Sequence, residues 1–361
     1  MYYRLAGKVG IHFEQAFEDK YGAQMMDVLA EAVTEKEFSL CTSSLSVYTV
    51  GKLETDGYLS DGDNYYDSRT FIDPKLGVVI RKEAENAFSI GANQDCPEWF
   101  MCMLEIVLLK SGITFAHCAA LEKDGEALFL PARGGVGKTA TVVKMIREHG
   151  WKLLCDDLLL LDGESACAYG YHKMFVIYGY HQNLFPELFA ERKSPVKNDA
   201  LNHAMTKMIP TAKKVLRLVP GLLAYAREHN PQQMRVYPRD IFKPEQLSFK
   251  ADRIRKTMWL ERTAGEAVSI QNCTEEEIAS RCAAITMSEL TYGSMNLNDC
   301  LFTMCGSGML DYGEIYTRIY QIVLKCVQDT NPSVLGVPQS VPVDNVYESV
   351  VLHSGVVENQ A

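Results

Sequence analysis

The sequence contains no run of about 18 consecutive apolar residues, the length that a membrane-spanning helix requires. The densest apolar stretches are short or interrupted by charge: LEIVLLK at 104–110 and LLCDDLLLLD at 153–162. The first residues, MYYRLAGKVGIHFEQ, lack the basic tip and the apolar segment of a signal peptide. These absences predict a soluble protein without a membrane partner.

The cysteines show neither a metal-binding nor a redox spacing, because no Cys-x-x-Cys occurs among the eleven. Their odd number and scattered positions, often within apolar runs, indicate reduced, buried thiols, and we expect a cytoplasmic protein. Positive charge is also in deficit, since 36 Lys and Arg stand against 46 Asp and Glu, a formal charge of -10. A surface that follows nucleic acid over its whole extent is therefore not expected.

The composition is that of a globular chain, with 47% apolar and 23% charged residues among 361. Residues 1–95 alternate short strand-like runs with turn-rich polar stretches, which predicts a smaller, β-rich N-terminal domain. A helix from Pro97 to about Lys110 opens a second domain of α/β type, expected over 96–330. Residues 331–361 are set apart as a C-terminal extension.

A glycine-rich segment, ARGGVGKT at 132–139, matches a phosphate-binding loop (P-loop, or Walker A motif), except that Ala132 replaces the usual first glycine. Glycines let successive backbone N–H groups turn toward phosphate oxygens, and a helix expected over 139–149 adds its positive N-terminus. Lys138 is expected to reach the β- and γ-phosphates of ATP, and the Thr139 hydroxyl to bind Mg²⁺. A flexible glycine turn before a helix is the alternative. The predicted nucleotide-binding residues are Gly134, Gly135, Val136, Gly137, Lys138, Thr139 and Ala140.

A pair of carboxylates, Asp156 and Asp157, follows an apolar strand predicted at 152–155. In open α/β sheets ligands bind at such strand ends. One carboxylate can hold Mg²⁺ while the other accepts the proton of an attacking hydroxyl. A strand-ending turn with two solvated acids is the alternative.

The segment 191–240 is basic, in contrast to the rest of the chain. Its cations would supply positive charge over a triphosphate or an anionic acceptor, as a lid-like insertion, and solvated helix faces are the alternative. His172 and Lys173, soon after the aspartates, are weaker candidates for the acceptor side, and a turn or strand edge is the alternative there. The cations considered for the lid are Lys213, Lys214, Arg217, Arg235 and Arg239.

Two strand-like runs, 113–122 and 126–131, are predicted to pair as a hairpin through an Asp-Gly turn, and the second run leads directly into the loop. With this hairpin the segment 115–162 resembles HPr kinase/phosphorylase and its related kinases, on the residues FAHCAALEKDGEALFLPARGGVGKTATVVKMIREHGWKLLCDDLLLLD. The resemblance is weak over the remaining chain. It implies an α/β fold with a P-loop domain like the C-terminal domain of HPr kinase, which is similar to phosphoenolpyruvate carboxykinase.

The same resemblance implies an ATP- and Mg²⁺-dependent kinase that transfers the γ-phosphoryl group to a serine-type hydroxyl. By position, Asp156 corresponds to the general base, Asp157 to its partner near the metal, and His117 to a histidine close to the bound phosphate. HPr kinases are hexameric, so a homo-oligomer is also implied.

Two questions stay open at this point. The chain lacks the glycine- and asparagine-rich signature that follows the aspartates in HPr kinases, so the acceptor is a protein, a peptide or a small molecule. The second hypothesis is an ATP-binding or ATP-hydrolysing module that controls a partner protein without phosphorylating it.

Overall fold

A computed structural model of the chain describes residues 1–178, 181–182, 184–190, 233–290, 297–342 and 345–355. The strands are β1 (Tyr2–Leu5), β2 (Val9–Phe13), β3 (Ala30–Val33), β4 (Ser43–Thr49), β5 (Leu59–Asp61), β6 (Asn64–Tyr66), β7 (Thr70–Asp73), β8 (Val78–Ala84), β9 (Ala87–Ala92), β10 (Ile113–Lys123), β11 (Glu126–Pro131), β12 (Lys152–Cys155), β13 (Leu158–Asp162), β14 (Cys167–Gly170), β15 (Phe175–Tyr178), β16 (Gln233–Val236), β17 (Lys250–Ala251), β18 (Arg253–Thr263), β19 (Ser269–Asn272) and β20 (Ser333–Pro338). The α-helices are α1 (Gln15–Tyr21), α2 (Glu35–Phe38), α3 (Pro97–Lys110), α4 (Lys138–His149), α5 (Pro186–Ala190), α6 (Pro238–Ile241), α7 (Glu275–Leu290), α8 (Leu297–Gly306), α9 (Tyr312–Cys326) and α10 (Val346–Ser354). The structure is therefore mixed α/β, as the sequence predicts.

The chain divides into two units, Met1–Lys173 with Phe242–Ala361, and Met174–Ile241. In the second unit β15 and β16 pair antiparallel. Most of the basic segment predicted as a lid, residues 191–232, lies outside the described residues, and with it Lys213, Lys214 and Arg217. Within the described part of the chain, no helix has both the length and the apolar character needed to cross a membrane.

Residues 2–92 form a mixed sheet in the order β3-β1-β2-β4-β9-β8-β7-β6-β5. The strands β2, β4 and β9 run parallel, and the remaining pairs are antiparallel. Helix α3 spans the residues that its apolar period predicts, and its aromatic side chains pack on this sheet. Phe100 lies 5.5 Å from Phe13 and Trp99 lies 5.4 Å from Phe71, ring centre to ring centre. The helix thus closes the core of the N-terminal sheet, although it lies beyond residue 95, the predicted end of the N-terminal domain.

The second sheet has the order β17-β14-β13-β10-β11-β18-β20-β19, and β12 pairs with β10. The strands β11, β18 and β20 run parallel, whereas β10 pairs antiparallel with β11, β12 and β13. The β10–β11 hairpin is the predicted one, and Asp124 and Gly125 turn with φ of 55° and 81°. Residues 331–361, which the sequence sets apart as an extension, supply β20, a fully buried strand between β18 and β19.

Helices pack on this second sheet through apolar faces, and the apolar residues of these faces recur at helical spacing in the sequence. Along α9 the buried residues Ile315, Ile319, Ile322 and Val323 recur at helical spacing, and Asp311 caps its N-terminus by accepting a hydrogen bond from the Glu314 N–H. The apolar strand LLLLD of β13 is buried throughout, as expected of a strand covered on both faces. A buried sheet therefore carries the loop that follows β11.

Candidate functional site

The glycine-rich loop connects β11 to α4, at the edge of the second sheet. Gly135 and Gly137 have φ of 80° and 102°, in the left-handed region that glycine adopts without steric cost. Around Gly134 and Gly135 nothing lies within 4 Å of the place where a Cβ would stand, and no described side chain caps α4. The loop therefore presents backbone N–H groups and a helix N-terminus to open space, which suits an anion.

Three loop positions act through the backbone alone. Ala132 is buried and forms a parallel β-bridge with Leu260, so it has an extended conformation that does not require glycine. Val136 and Ala140 are buried against the core and present no polar side chain. The replacement of the first glycine by Ala132 is thus compatible with the geometry of the loop.

The Lys138 side chain is folded over the loop and is only 8% exposed. Its ammonium lies 2.9 Å from the carbonyl oxygen of Ala132, 3.1 Å from that of Arg133 and 2.9 Å from Nε2 of His117. Burial lowers the pKa of Lys138, and Asp156 and Asp157 oppose that shift. The loop therefore holds a cation beside its exposed amides, where an anionic group would gain from it.

Thr139 and Asp156 meet at the start of α4. The Thr139 hydroxyl donates to Oδ2 of Asp156 at 2.7 Å, which leaves the lone pairs of the hydroxyl oxygen free. The other carboxylate oxygen, Oδ1, is buried and has no hydrogen-bond partner among the described residues. Burial raises the pKa of Asp156 to about 7, although Thr139 and Lys138 act in the opposite direction. Asp156 is thus a carboxylate with an unpaired oxygen that exchanges protons near neutral pH.

The neighbouring Asp157 has a different environment. Its Oδ2 lies 2.5 Å from Nζ of Lys173, and its Oδ1 lies 3.7 Å from Nδ1 of His117. Burial disfavours ionisation, but Lys173, His117 and Lys138 together outweigh it and hold the pKa of Asp157 below its usual value. Two adjacent carboxylates whose pKa values are pushed apart can divide an acid–base task between them.

His117 lies on β10 between these groups. Its Nε2 meets Lys138, and its Nδ1 is paired with the carboxylate of Glu289 on α7. Glu289 does not belong to any sequence motif, and only its place on a helix that packs along β10 could have indicated it. The structure therefore brings together five predicted residues and adds Glu289; the five are His117, Lys138, Thr139, Asp156 and Asp157.

The two candidates for the acceptor side behave differently. Lys173 reaches the site through its ion pair with Asp157 and is 45% exposed. His172 is buried elsewhere, with Nε2 3.2 Å and 2.9 Å from the carbonyl oxygens of Leu153 and Ser248, and burial lowers its pKa. Its role is to hold β12 next to the segment that precedes β17.

The site offers oxygen ligands of the kind that Mg²⁺ requires. The described ranges contain no cluster of three or more His, Cys, Asp or Glu side chains that could hold a metal ion. Mg²⁺ does not need such a cluster, because one or two protein oxygens hold it together with substrate phosphates and water. The free lone pairs of Thr139 and the ionised Asp157 fit that requirement, although Asp157 also pairs with Lys173.

No protein-family model matches the chain, and no curated protein matches it in sequence. The resemblance to HPr kinases remains a prediction from residues 115–162, and a functional proposal has to rest on the geometry of the site.

Proposed function

We propose that the protein is an ATP- and Mg²⁺-dependent kinase with a P-loop domain of the HPr kinase type, which transfers the γ-phosphoryl group to a hydroxyl acceptor. The observation that carries this proposal is the position of Asp156. One of its oxygens, Oδ2, accepts from the Thr139 hydroxyl, and the other, Oδ1, is buried and has no hydrogen-bond partner among the described residues. The carboxylate is close enough to Lys138 for its charge to be felt, and it stands beside a loop whose glycines face open space.

In this proposal the backbone N–H groups of residues 134–140 bind the phosphates, and Lys138 stabilises the negative charge that develops on their oxygens. Thr139 and Asp157 would hold Mg²⁺, which neutralises phosphate charge when bound. Lys138 has to exchange at least one present acceptor for a phosphate oxygen, since all three of its N–H groups are in use.

Asp156 accepts the proton of the attacking hydroxyl on Oδ1. A base is most effective when its pKa is close to the working pH, and a pKa of about 7 meets that condition. Lys173 is 45% exposed in its ion pair with Asp157, and its ammonium would favour an acceptor with negative charge.

The test is incubation of the full chain with Mg²⁺ and γ-labelled ATP, together with candidate peptides, small hydroxyl compounds and a cell lysate. Lys138→Met should abolish labelling of the acceptor, because the loop loses its only buried ammonium among the described residues. Lys123→Met is the matched control, since Lys123 is exposed at the end of β10 and its ammonium meets the carbonyl oxygen of His149.

Two outcomes would count against the proposal. Failure of the unmodified protein to bind ATP with Mg²⁺ would refute both hypotheses, the kinase and the ATP-dependent regulatory module. Release of labelled inorganic phosphate without a labelled acceptor would instead support the ATP-hydrolysing module that controls a partner.

A further inference from the structure

Glu289 and His117 form a contact that the proposed chemistry does not use. Helix α7 lies along β10, and one turn before Glu289 the Thr286 hydroxyl donates to the carbonyl oxygen of Phe115 at 3.1 Å. Residues three apart on a helix share a face, and residues two apart on a strand share a face. Thr286 is thus fixed to the backbone of residue 115, and Glu289, one turn further along α7, meets the side chain of residue 117, so the contact between α7 and β10 places the Glu289 carboxylate against His117.

The contacts of Lys138 bear on the position of the His117 proton. Two N–H groups of the ammonium point to carbonyl oxygens of Ala132 and Arg133, which can only accept. The third meets Nε2 of His117 at 2.9 Å, so a fully protonated Lys138 requires Nε2 to accept as well. A neutral imidazole that accepts at Nε2 carries its proton on Nδ1, and Nδ1 is the atom paired with Glu289.

We propose that Glu289 is a positioning residue, which fixes this tautomer of His117 and through it the place of the Lys138 ammonium in the loop. Asp157 is the other carboxylate near Nδ1, but at 3.7 Å it lies beyond hydrogen-bond distance. Without Glu289 the proton would be free to move to Nε2, which would then turn a donor toward the ammonium. One N–H of a nearly buried cation would lose its acceptor, which is costly away from water.

The tautomer can be measured on the nucleotide-free full chain by long-range proton–nitrogen NMR with ¹⁵N-labelled histidine. In the unmodified protein we expect His117 to be protonated on Nδ1 and not on Nε2, and His117→Gln identifies its signals. Glu289→Ala should populate the form protonated on Nε2. Glu289→Gln should restore the first tautomer, since its amide oxygen can still accept from Nδ1.

The control is Glu276→Ala, which removes an exposed carboxylate from the first turn of the same helix. A proton on Nε2 in the unmodified protein would overturn the inference, and this measurement does not depend on the folding of any variant. An unchanged tautomer in a folded Glu289→Ala protein would overturn it as well.

The kinetic consequence rests on the proposed function. Residues that do not touch the substrate but hydrogen-bond to a functional side chain and orient it typically contribute about 10–100-fold to activity. We therefore expect Glu289→Ala to lower the rate of phosphoryl transfer at least tenfold, with little change in KM for ATP, and Glu289→Gln to retain most of the rate. An unmodified protein without transfer activity would refute the kinase, whereas the NMR result would still decide the role of Glu289. Transfer by Glu289→Ala at the unmodified rate would overturn the positioning role.

Discussion

Replacement of Asp156 by Asn should make the protein more stable and less active at the same time. The carboxylate is expensive to ionise in the folded protein, because burial raises its pKa from 3.8 to about 7. Asn keeps an oxygen that can accept from Thr139, and it carries no charge. The gain in stability should therefore grow between pH 3.8 and pH 7, where the unfolded chain ionises this carboxyl group and the folded protein retains its proton.

The sign and size follow from the two pKa values. The folded state holds the proton more tightly than the unfolded chain, so the contribution of Asp156 to stability is largest at low pH and is lost as the pH rises to 7. At about 1.4 kcal/mol per pKa unit, the raised pKa of Asp156 lowers the free energy of unfolding, relative to its value at low pH, by about 2 kcal/mol at pH 5 and by about 4 kcal/mol at pH 8. The advantage of Asp156→Asn over the unmodified protein should grow by about 2 to 3 kcal/mol over that interval.

The assay is urea unfolding of both proteins at pH 5 and pH 8, without nucleotide or Mg²⁺. The buried Asn amide group has a fixed energetic effect, which cancels when the two pH values are compared. Asp19→Asn, which removes an exposed carboxylate of α1, should show no such growth. A stability difference that is the same at both pH values would refute the reasoning. In transfer assays the Asn variant should lose about 10²–10⁴-fold in rate while ATP affinity changes little, as for removal of a general base.

Two buried carboxylates elsewhere give further predictions. Burial raises the pKa of Glu105, on α3, to about 7, so Glu105→Gln should increase the free energy of unfolding by about 2 kcal/mol more at pH 8 than at pH 5. Equal gains at both pH values in urea unfolding would contradict it. Asp162 is 1% exposed, and both of its carboxylate oxygens accept from the Lys8 ammonium at 2.9 Å. Burial alone would raise the pKa of Asp162, but Lys8 and the other hydrogen-bond donors outweigh burial and hold the pKa below its usual value. Lys8→Met removes the cation and leaves the Glu164 N–H and the Ser165 hydroxyl as donors to this carboxylate. The substitution should cost about 3 kcal/mol at pH 7, with a smaller loss as the pH falls toward 4, because protonation removes the charge. A thermal unfolding midpoint that is unchanged at pH 7 would refute this.

The parts of the site that the sequence predicts are those encoded by neighbouring residues. The hairpin of β10 and β11 follows from an Asp-Gly pair between two apolar runs, and α4 ends at Gly150 with φ of 67°, as a left-handed C-terminal glycine predicts. The loop and the two aspartates are close together because β12 returns beside β10. Local patterns were sufficient for these elements.

The remaining parts depend on contacts between distant segments. Glu289 is one acidic residue on a helix with three acids in its first turn, and nothing in its neighbours marks it as a partner of His117. The strand β20 reads SVLGVP, a short apolar run that periodicity cannot assign to a sheet. The role of Lys173 likewise depends on the turn that brings it back to Asp157.

The place of β20 has a consequence for the synthesis of the protein. The strand β11, which leads into the glycine-rich loop, pairs with β18 on one side. On its other side β18 pairs with β20, which is formed by residues 333–338. A ribosome has therefore passed residue 338 before the sheet behind the glycine-rich loop can close, since these pairings join segments far apart in sequence. The strands of the N-terminal sheet lie within residues 2–92 and the helix that closes its core ends at Lys110, so this part can assemble long before that. A nascent chain interrupted before residue 333 would carry the complete glycine-rich loop on an unfinished sheet.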